Sequence, residues 1–240
     1  MLAAAAVCPC PPLLVPEVAA GAAAELDAAR DACMDAIGVL AASRPDRLVV
    51  VGPADVDGDG PYPPGSTGSF HGFGVDLGVR LGHGTGAERP LPPSLAVGAW
   101  LLGRADFGDC PVEGLAVDEA LAAEDCAAAG RDLAGRAPGG RSGRTALLVM
   151  GDGSARRTVK APGYLDERAV GFDTRIARAL GAADLAALLA LDTGLAHQLK
   201  VSGRAPWQVL AGAAEGAGLG GRLLYEDAPY GVGYVVAAWS

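Results

Sequence analysis

The chain has 240 residues, half of them hydrophobic, and a formal net charge of −9. That is material for one large domain, residues 1–240, and the acidic balance argues against a nucleic-acid partner, whose phosphates want the opposite sign. Five cysteines, an odd number in a chain too large to need staples, fit a reduced, cytoplasmic protein, and no apolar run reaches the length of a membrane-spanning helix.

Aromatic residues make up only 5% of the chain, so the core must be built mainly from Ala, Val and Leu. The 36 glycines and 17 prolines are scattered among apolar runs and point to many tight turns. Arginines gather at Arg136, Arg141 and Arg144 and again at Arg156 and Arg157, but no aromatics interleave them, as a nucleic-acid surface would require.

Leu2 to Val7 reads as a short buried strand stopped by prolines. Cys8 after an apolar stretch imitates a lipoprotein signal, but the basic leader is missing and the stretch is short. From Glu17 to Ser43, Val18, Ala22, Leu26, Ala29, Cys33, Ile37 and Leu40 fall three or four residues apart and predict one helix. Leu48 to Val51, closed by Gly52-Pro53, reads as a buried strand, completing a βαβ unit with parallel strands. Asp55 to Gly72 reads as a polar loop. Gly74 to Leu81 and Leu95 to Leu102 read as strands, Val117 to Leu133 as a helix, and Ala137 to Gly143 as a loop.

Thr145 to Met150 is a second buried strand, ending in Gly151-Asp152-Gly153-Ser154. Leu165, Ala169, Phe172, Ile176 and Leu180 mark a helix with Gly181 as its cap. Asp184 to Leu191 and Thr193 to Val201 predict short helices, and Pro206 opens another through Ala214. Leu223 to Tyr225 and Gly233 to Ala238 close the chain as strands, with Trp239 on the sheet edge. The order predicts an α/β fold: a central mixed, mostly parallel sheet with helices on both faces.

Several motifs carry chemistry. Asp55-Val56-Asp57-Gly58-Asp59-Gly60 starts like a calcium loop, but its twelfth position is Ser66 and prolines block the exiting helix, so it reads as a solvated acidic loop. Gly82-His83-Gly84-Thr85-Gly86 lacks the Lys of a phosphate loop and reads as a turn. No Gly-x-Ser-x-Gly elbow occurs, so nothing supports a hydrolase serine. His71, His83 and His197 lie in loops or on a short polar helix and read as surface residues. Cys8 and Cys10 alternate onto one face at a strand's carboxyl end, where α/β sheets place their sites; Cys10 is either a buried structural thiol or a functional one. Gly151-Asp152-Gly153-Ser154 offers close backbone approach and polar handles, the makings of a pocket floor.

Five stretches taken together resemble the class III extradiol ring-cleavage dioxygenases. They are Cys10-Pro11-Pro12-Leu13-Leu14-Val15-Pro16-Glu17, Val49-Val50-Val51-Gly52, Gly151-Asp152-Gly153-Ser154, Ala205 to Ala213, and Pro229-Tyr230-Gly231-Val232-Gly233-Tyr234. The likeness is to their catalytic-subunit-like (LigB-like) superfamily, which includes the Memo-like proteins, and it spans nearly the whole chain in order. It implies one α/β domain that binds Fe(II) through two His and a Glu, opens catechol-type rings with O₂, and uses a further His as acid/base. Carried over by position, the first ligand His is here Cys10, and the second falls at Pro53-Ala54-Asp55. The acid/base His is Ala155, and the ligand Glu is Ser202. Two imidazoles are what hold ferrous iron in a reactive state, so no metal or other cofactor is expected. The reading is a divergent member with a retained pocket, lined by Cys10, Asp55, Asp152, Ser154 and Tyr230, that binds a small molecule, aromatic rings included. One alternative is an oxidoreductase whose Fe(II) or other transition metal sits in a site rebuilt on Cys10 and Asp55. Another is a non-catalytic Memo-like interaction protein. Neither a nucleic acid nor a membrane is expected as partner; a homodimer is the oligomer that the family's habit suggests.

Overall fold

A computed structural model describes residues 1–54, 58–135 and 143–240. Its centre is a seven-stranded sheet. In chain order its strands are β1 (Leu2–Cys8), β2 (Arg47–Pro53), β3 (Gly60–Tyr62), β6 (Val112–Val117), β7 (Thr145–Met150), β8 (Gly221–Asp227) and β9 (Tyr234–Trp239). They lie in the order β3-β6-β2-β7-β1-β9-β8. β6, β2, β7 and β1 run parallel, while β3 joins β6, and β9 joins β1, antiparallel. β4 (Thr67–Ser69) and β5 (Gly78–Arg80) form a separate two-stranded ribbon. β1, β2 and β7 are almost wholly buried Ala, Val and Leu, as strands covered on both faces must be.

The helices are α1 (Pro16–Ala19), α2 (Asp27–Ala42), α3 (Pro93–Leu102), α4 (Ala123–Gly135), α5 (Arg168–Ala182), α6 (Leu185–Leu189), α7 (Thr193–Gln198) and α8 (Arg204–Ala213). α2 and α3 cover one face of the sheet, where Cys33, Ile37, Leu40, Leu95 and Trp100 join Ala4, Ala6, Val50 and Leu148. α4, α5 and α8 cover the other, where Phe172, Ile176, Trp207 and Leu210 meet Ala5, Val7, Val49 and Val149. Among the described residues no helix is long and apolar enough to cross a membrane.

The sequence reading holds for the α/β class and for β1, β2, β7 and the run of helices after β7, and fails in identifiable places. Leu95 to Leu102 is helical. The run is apolar all round, which periodicity cannot separate from a buried strand, and Pro93 in its first turn is the deciding start signal. Gly98 lets this helix lie on the sheet, since a Cβ there would sit 2.6 Å from Val50 Cγ1. The expected helix from Val117 begins only at Ala123, because Val112–Val117 is a core strand paired with β2. Only Gly78–Arg80 of the Gly74–Leu81 alternation is strand, and the predicted Asp55–Gly72 loop holds β3 and β4. The helix expected from Glu17 breaks after Ala19 into a 3-10 stretch, Ala20–Leu26, where Ala20 has φ +49°. α5 ends one residue beyond the expected cap, with Ala183 in the left-handed conformation. Trp239 is on an interior strand, fully buried, and its indole N–H donates to Leu180 O at 2.6 Å. Most of the Ala137–Gly143 loop lies outside the described residues.

With so few aromatics, packing relies on close backbone approach. α4 and α8 touch through glycines: a Cβ on Gly130 would lie 2.0 Å from Val209 O, and one on Gly212 would lie 2.1 Å from Ala127 O. Gly130→Ala is expected to lower the urea midpoint by the equivalent of roughly 1–3 kcal/mol, although alanine raises intrinsic helix propensity. An unchanged or higher midpoint would show that the two helices are not held at this distance.

Candidate functional site

The carboxyl ends of β1, β2 and β7 meet at one edge of the sheet. β1 stops at Cys8 because Pro9, Pro11 and Pro12 cannot extend a ladder. Between the prolines the Cys10 N–H turns back and donates to Asp152 Oδ1 at 2.9 Å, tying the exit of β1 to that of β7. Gly151 N–H donates to Cys8 O at 3.0 Å just before that link. Asp152 is held from behind as well, for its carbonyl accepts Ser202 N–H at 3.1 Å. Gly151 must lack a side chain there, since its Cβ would lie 2.5 Å from Gly203 Cα. β2 adds Pro53 and Ala54, and Ser94 Oγ at the start of α3 donates to Pro53 O at 2.6 Å. β9 begins opposite with Tyr234, after the Tyr230–Gly233 turn.

These pieces surround a cleft of about 460 Å³ whose walls include Cys10, Pro53, Ser94, Asp152, Tyr230 and Tyr234. Burial governs its titratable groups. Burial, then the nearby Asp152 charge, holds the Cys10 thiol well above its ordinary pKa, so it is a neutral thiol. Burial pushes Asp152 up to about 7, and the Cys10 N–H opposes that only in part. Tyr234 is raised by burial and then by Asp152. Tyr230 is raised by burial and then by Glu25; its hydroxyl approaches that carboxylate without the geometry of a hydrogen bond. Among the described residues no Lys, Arg or His lines the cleft. Its floor therefore offers one carboxyl that changes protonation near neutrality and hydroxyl and thiol groups that keep their protons. That suits a ligand without net negative charge, and proton exchange at Asp152. A protonated, buried thiol is a poor nucleophile.

Of the expected site residues, Cys10, Asp152 and Tyr230 come together. Asp55 lies outside the described residues. Ser154 does not reach the cleft. It is fully buried, its hydroxyl donates to Asp173 Oδ2 at 2.7 Å, and its N–H donates to Oδ1 at 2.8 Å. Asp173, on α5, also pairs with Arg157 Nη1 at 3.0 Å. Gly153 and Gly233 are pressed against the same carboxylate, where a Cβ would come within 2.9 Å and 2.5 Å of its oxygens. This network supports the cleft floor from below and was missed in the sequence. The signal was present: Asp173 follows Ala169 by four residues on the buried stripe of α5, where a charge needs a partner. Ser94 and Tyr234 were missed as lining residues, the first because α3 was read as a strand, while Ser202, named only as the position of the family's ligand Glu, does line the cleft.

The histidines stay apart from the cleft. His71 is exposed and pairs with Asp76 at 2.6 Å, while His83 and His197 line other depressions. Among the described residues no three His, Cys, Asp or Glu side chains gather as a metal-ligand group. Cys10 and Asp152 offer a protonated thiol and a carboxyl with one oxygen already occupied. This donor set does not fit ferrous iron, which wants imidazoles and open positions.

No family model and no curated protein matches the chain. Among solved structures it is similar to the uncharacterized protein JW3007 from Escherichia coli K12, at 17% identity and a TM-score of 0.51, with 98% of each chain covered. At that identity the likeness speaks for the fold alone.

Two outcomes test the site's electrostatics. Asp152 has a folded pKa near 7, above the ordinary 3.8. Its contribution to stability is therefore full below about pH 4 and is lost as pH rises through 7. Asp152→Asn keeps an oxygen for the Cys10 N–H and is expected to exceed the natural protein in stability at pH 8, by on the order of 2 kcal/mol, with no gain at pH 4. Urea melts at both pH values check this. Asp173→Ala leaves Arg157 and two buried Ser154 donors unpaired and is expected to cost about 3–5 kcal/mol; a loss under 1 kcal/mol in the same assay would mean that water replaces the carboxylate.

Proposed function

We propose that the chain is a divergent, cytoplasmic relative of the extradiol dioxygenases whose cleft binds a small, uncharged molecule, rings included, without the ferrous chemistry of that family. The observation carrying this reading is the convergence of Cys10, Asp152, Tyr230 and Tyr234 on one apolar cleft at the carboxyl ends of β1, β2 and β7, the place where open α/β sheets hold ligands. Prolines and Val232 supply flat apolar walls, and the floor supplies one proton acceptor near neutrality. The positions that answer to the family's imidazoles, Cys10 and Ala155 among them, leave no ligand pair and no histidine to move a proton.

A fragment screen by NMR on labelled protein tests the proposal. Ring-bearing neutral compounds are expected to shift the resonances of Cys10, Asp152 and Tyr234, and Cys10→Phe, which fills the cleft, is expected to abolish those shifts. Shifts confined to another face of the protein would overturn it. So would yellow ring-fission product from catechol with added Fe(II). One equivalent of a transition metal in purified protein, lost in Cys10→Ala, would replace it with a rebuilt metal centre.

A further inference from the structure

The two oxygens of Asp152 are used differently. Oδ1 accepts the Cys10 N–H at 2.9 Å. Oδ2 has no partner among the described residues, yet it is not sealed in as the orphaned Tyr230 hydroxyl is, so it opens on the cleft that Asp152 lines. The polar groups beside it offer it no acceptor. Ser94 Oγ gives its proton to Pro53 O, and the Cys10 thiol and the Tyr234 phenol keep theirs.

What packs round Asp152 sets the charge it carries. Cys10 at the exit of β1, Cys33 on α2 and Tyr234 on β9 lie within its electrostatic reach, and burial before any other cause holds all three protonated. Of the described residues, those that face the cleft from the exit of β2, the start of α3 and the Ser202 turn bring no charge. Beneath, Asp173 is paired with Arg157. The loop after β6 brings Glu119, which acts on Cys10 and which burial, against Arg204, also raises to about 7. With no cation among the described residues lining the cleft, Asp152 Oδ2 below neutrality is a hydroxyl, a strong donor that lacks an acceptor. The walls set the shape of whatever supplies one. Pro11, Pro12, Pro53, Pro93 and Pro162 stand round the cleft with the Tyr230 ring, rigid apolar surfaces that suit a flat molecule.

We propose that the ligand of this cleft is a flat heteroaromatic base, whose unprotonated ring nitrogen accepts a hydrogen bond from Asp152 Oδ2 and shares its proton, which couples binding to pH. The proposal rests on the reading of the cleft given above and narrows it to one chemical class. An anion would meet a carboxyl and no cation. A fixed cation would leave a buried ion pair, both of whose charges must be stripped of water. A neutral acceptor satisfies the donor without creating a charge. A carbonyl would accept the same bond, but a ring nitrogen gains more, because a shift of the proton toward it makes the bond charge-assisted. The complex holds one proton wherever it sits: the Oδ2–H bond lengthens as the N–H bond forms, and nothing else is exchanged.

Calorimetry with benzimidazole and with indole at pH 6 and pH 8, with NMR shifts to locate each, tests the proposal. The two compounds have the same shape and both carry an N–H, but only benzimidazole has a basic ring nitrogen. At pH 6 benzimidazole is expected to bind about ten-fold or more tightly than indole, the worth of one strong hydrogen bond, and to shift Asp152 and Tyr234. Asp152 gives up its proton as pH rises through 7, so benzimidazole is expected to bind about ten-fold more weakly at pH 8, while indole stays the same. Asp152→Asn is expected to remove that pH dependence. Equal binding of the two compounds at pH 6, or benzimidazole binding that does not change by pH 8, would overturn this inference and leave the wider reading of the cleft standing. A pH dependence that survives Asp152→Asn would assign the proton to Glu119 and overturn it likewise. Absence of shifts at the cleft with either compound would overturn both.

Discussion

The hydrogen bond from Cys10 N–H to Asp152 Oδ1 joins the ends of two neighbouring parallel strands, and much of the molecule is arranged so that it can form. Prolines on both sides of Cys10 deny it a place in the ladder, so its N–H needs another acceptor. Glycines on both sides of Asp152 let the chain pass between Gly203 and Asp173 and present the carboxyl at the right height. The same acid is thereby enclosed and kept short of donors, which is why it holds its proton to about neutral pH. Strand termination, cleft floor and proton chemistry are three aspects of one contact.

Beneath it lies a second buried acid, Asp173, with a fuller set of partners. Asp173 is buried more completely than Asp152, yet it receives two donors from Ser154 and one from Arg157. One acid is satisfied and serves the fold, while the other is under-satisfied and faces the cleft. The two differ in the number of donors that reach them. Glu119 repeats the contrast within one residue, since one oxygen is turned toward Arg204 and the helix start while the other is left without a donor.

The sequence made the parallel core legible because β1, β2 and β7 are uninterrupted apolar runs closed by Pro or Gly, and Cys10 and Asp152, expected at their exits, line one cleft. It misled where period carried no information. Leu95 to Leu102 is apolar on every side, so only Pro93 distinguished helix from strand. Val112–Val117 includes Glu113 and Gly114, which dilute the strand pattern. Glu113 is there because it pairs with Arg47 at 3.0 Å across the sheet, and Gly114 because a Cβ would strike Leu95 and Leu81. Ser154 looked like a polar handle for a ligand because a sequence cannot say which way a buried hydroxyl turns; its partner lies 19 residues on, in a helix.

The two borders of the main sheet are unequal but alike in one respect. At one border β3 is three residues long and carries Pro61, which has no N–H to offer. At the other, β8 carries Arg222, Glu226 and Asp227, charges that repel a flat neighbouring strand. Neither border invites another chain to extend the ladder. The sheet is thus finished at each side by a short, proline-bearing strand or a charged one, which discourages pairing by strand addition.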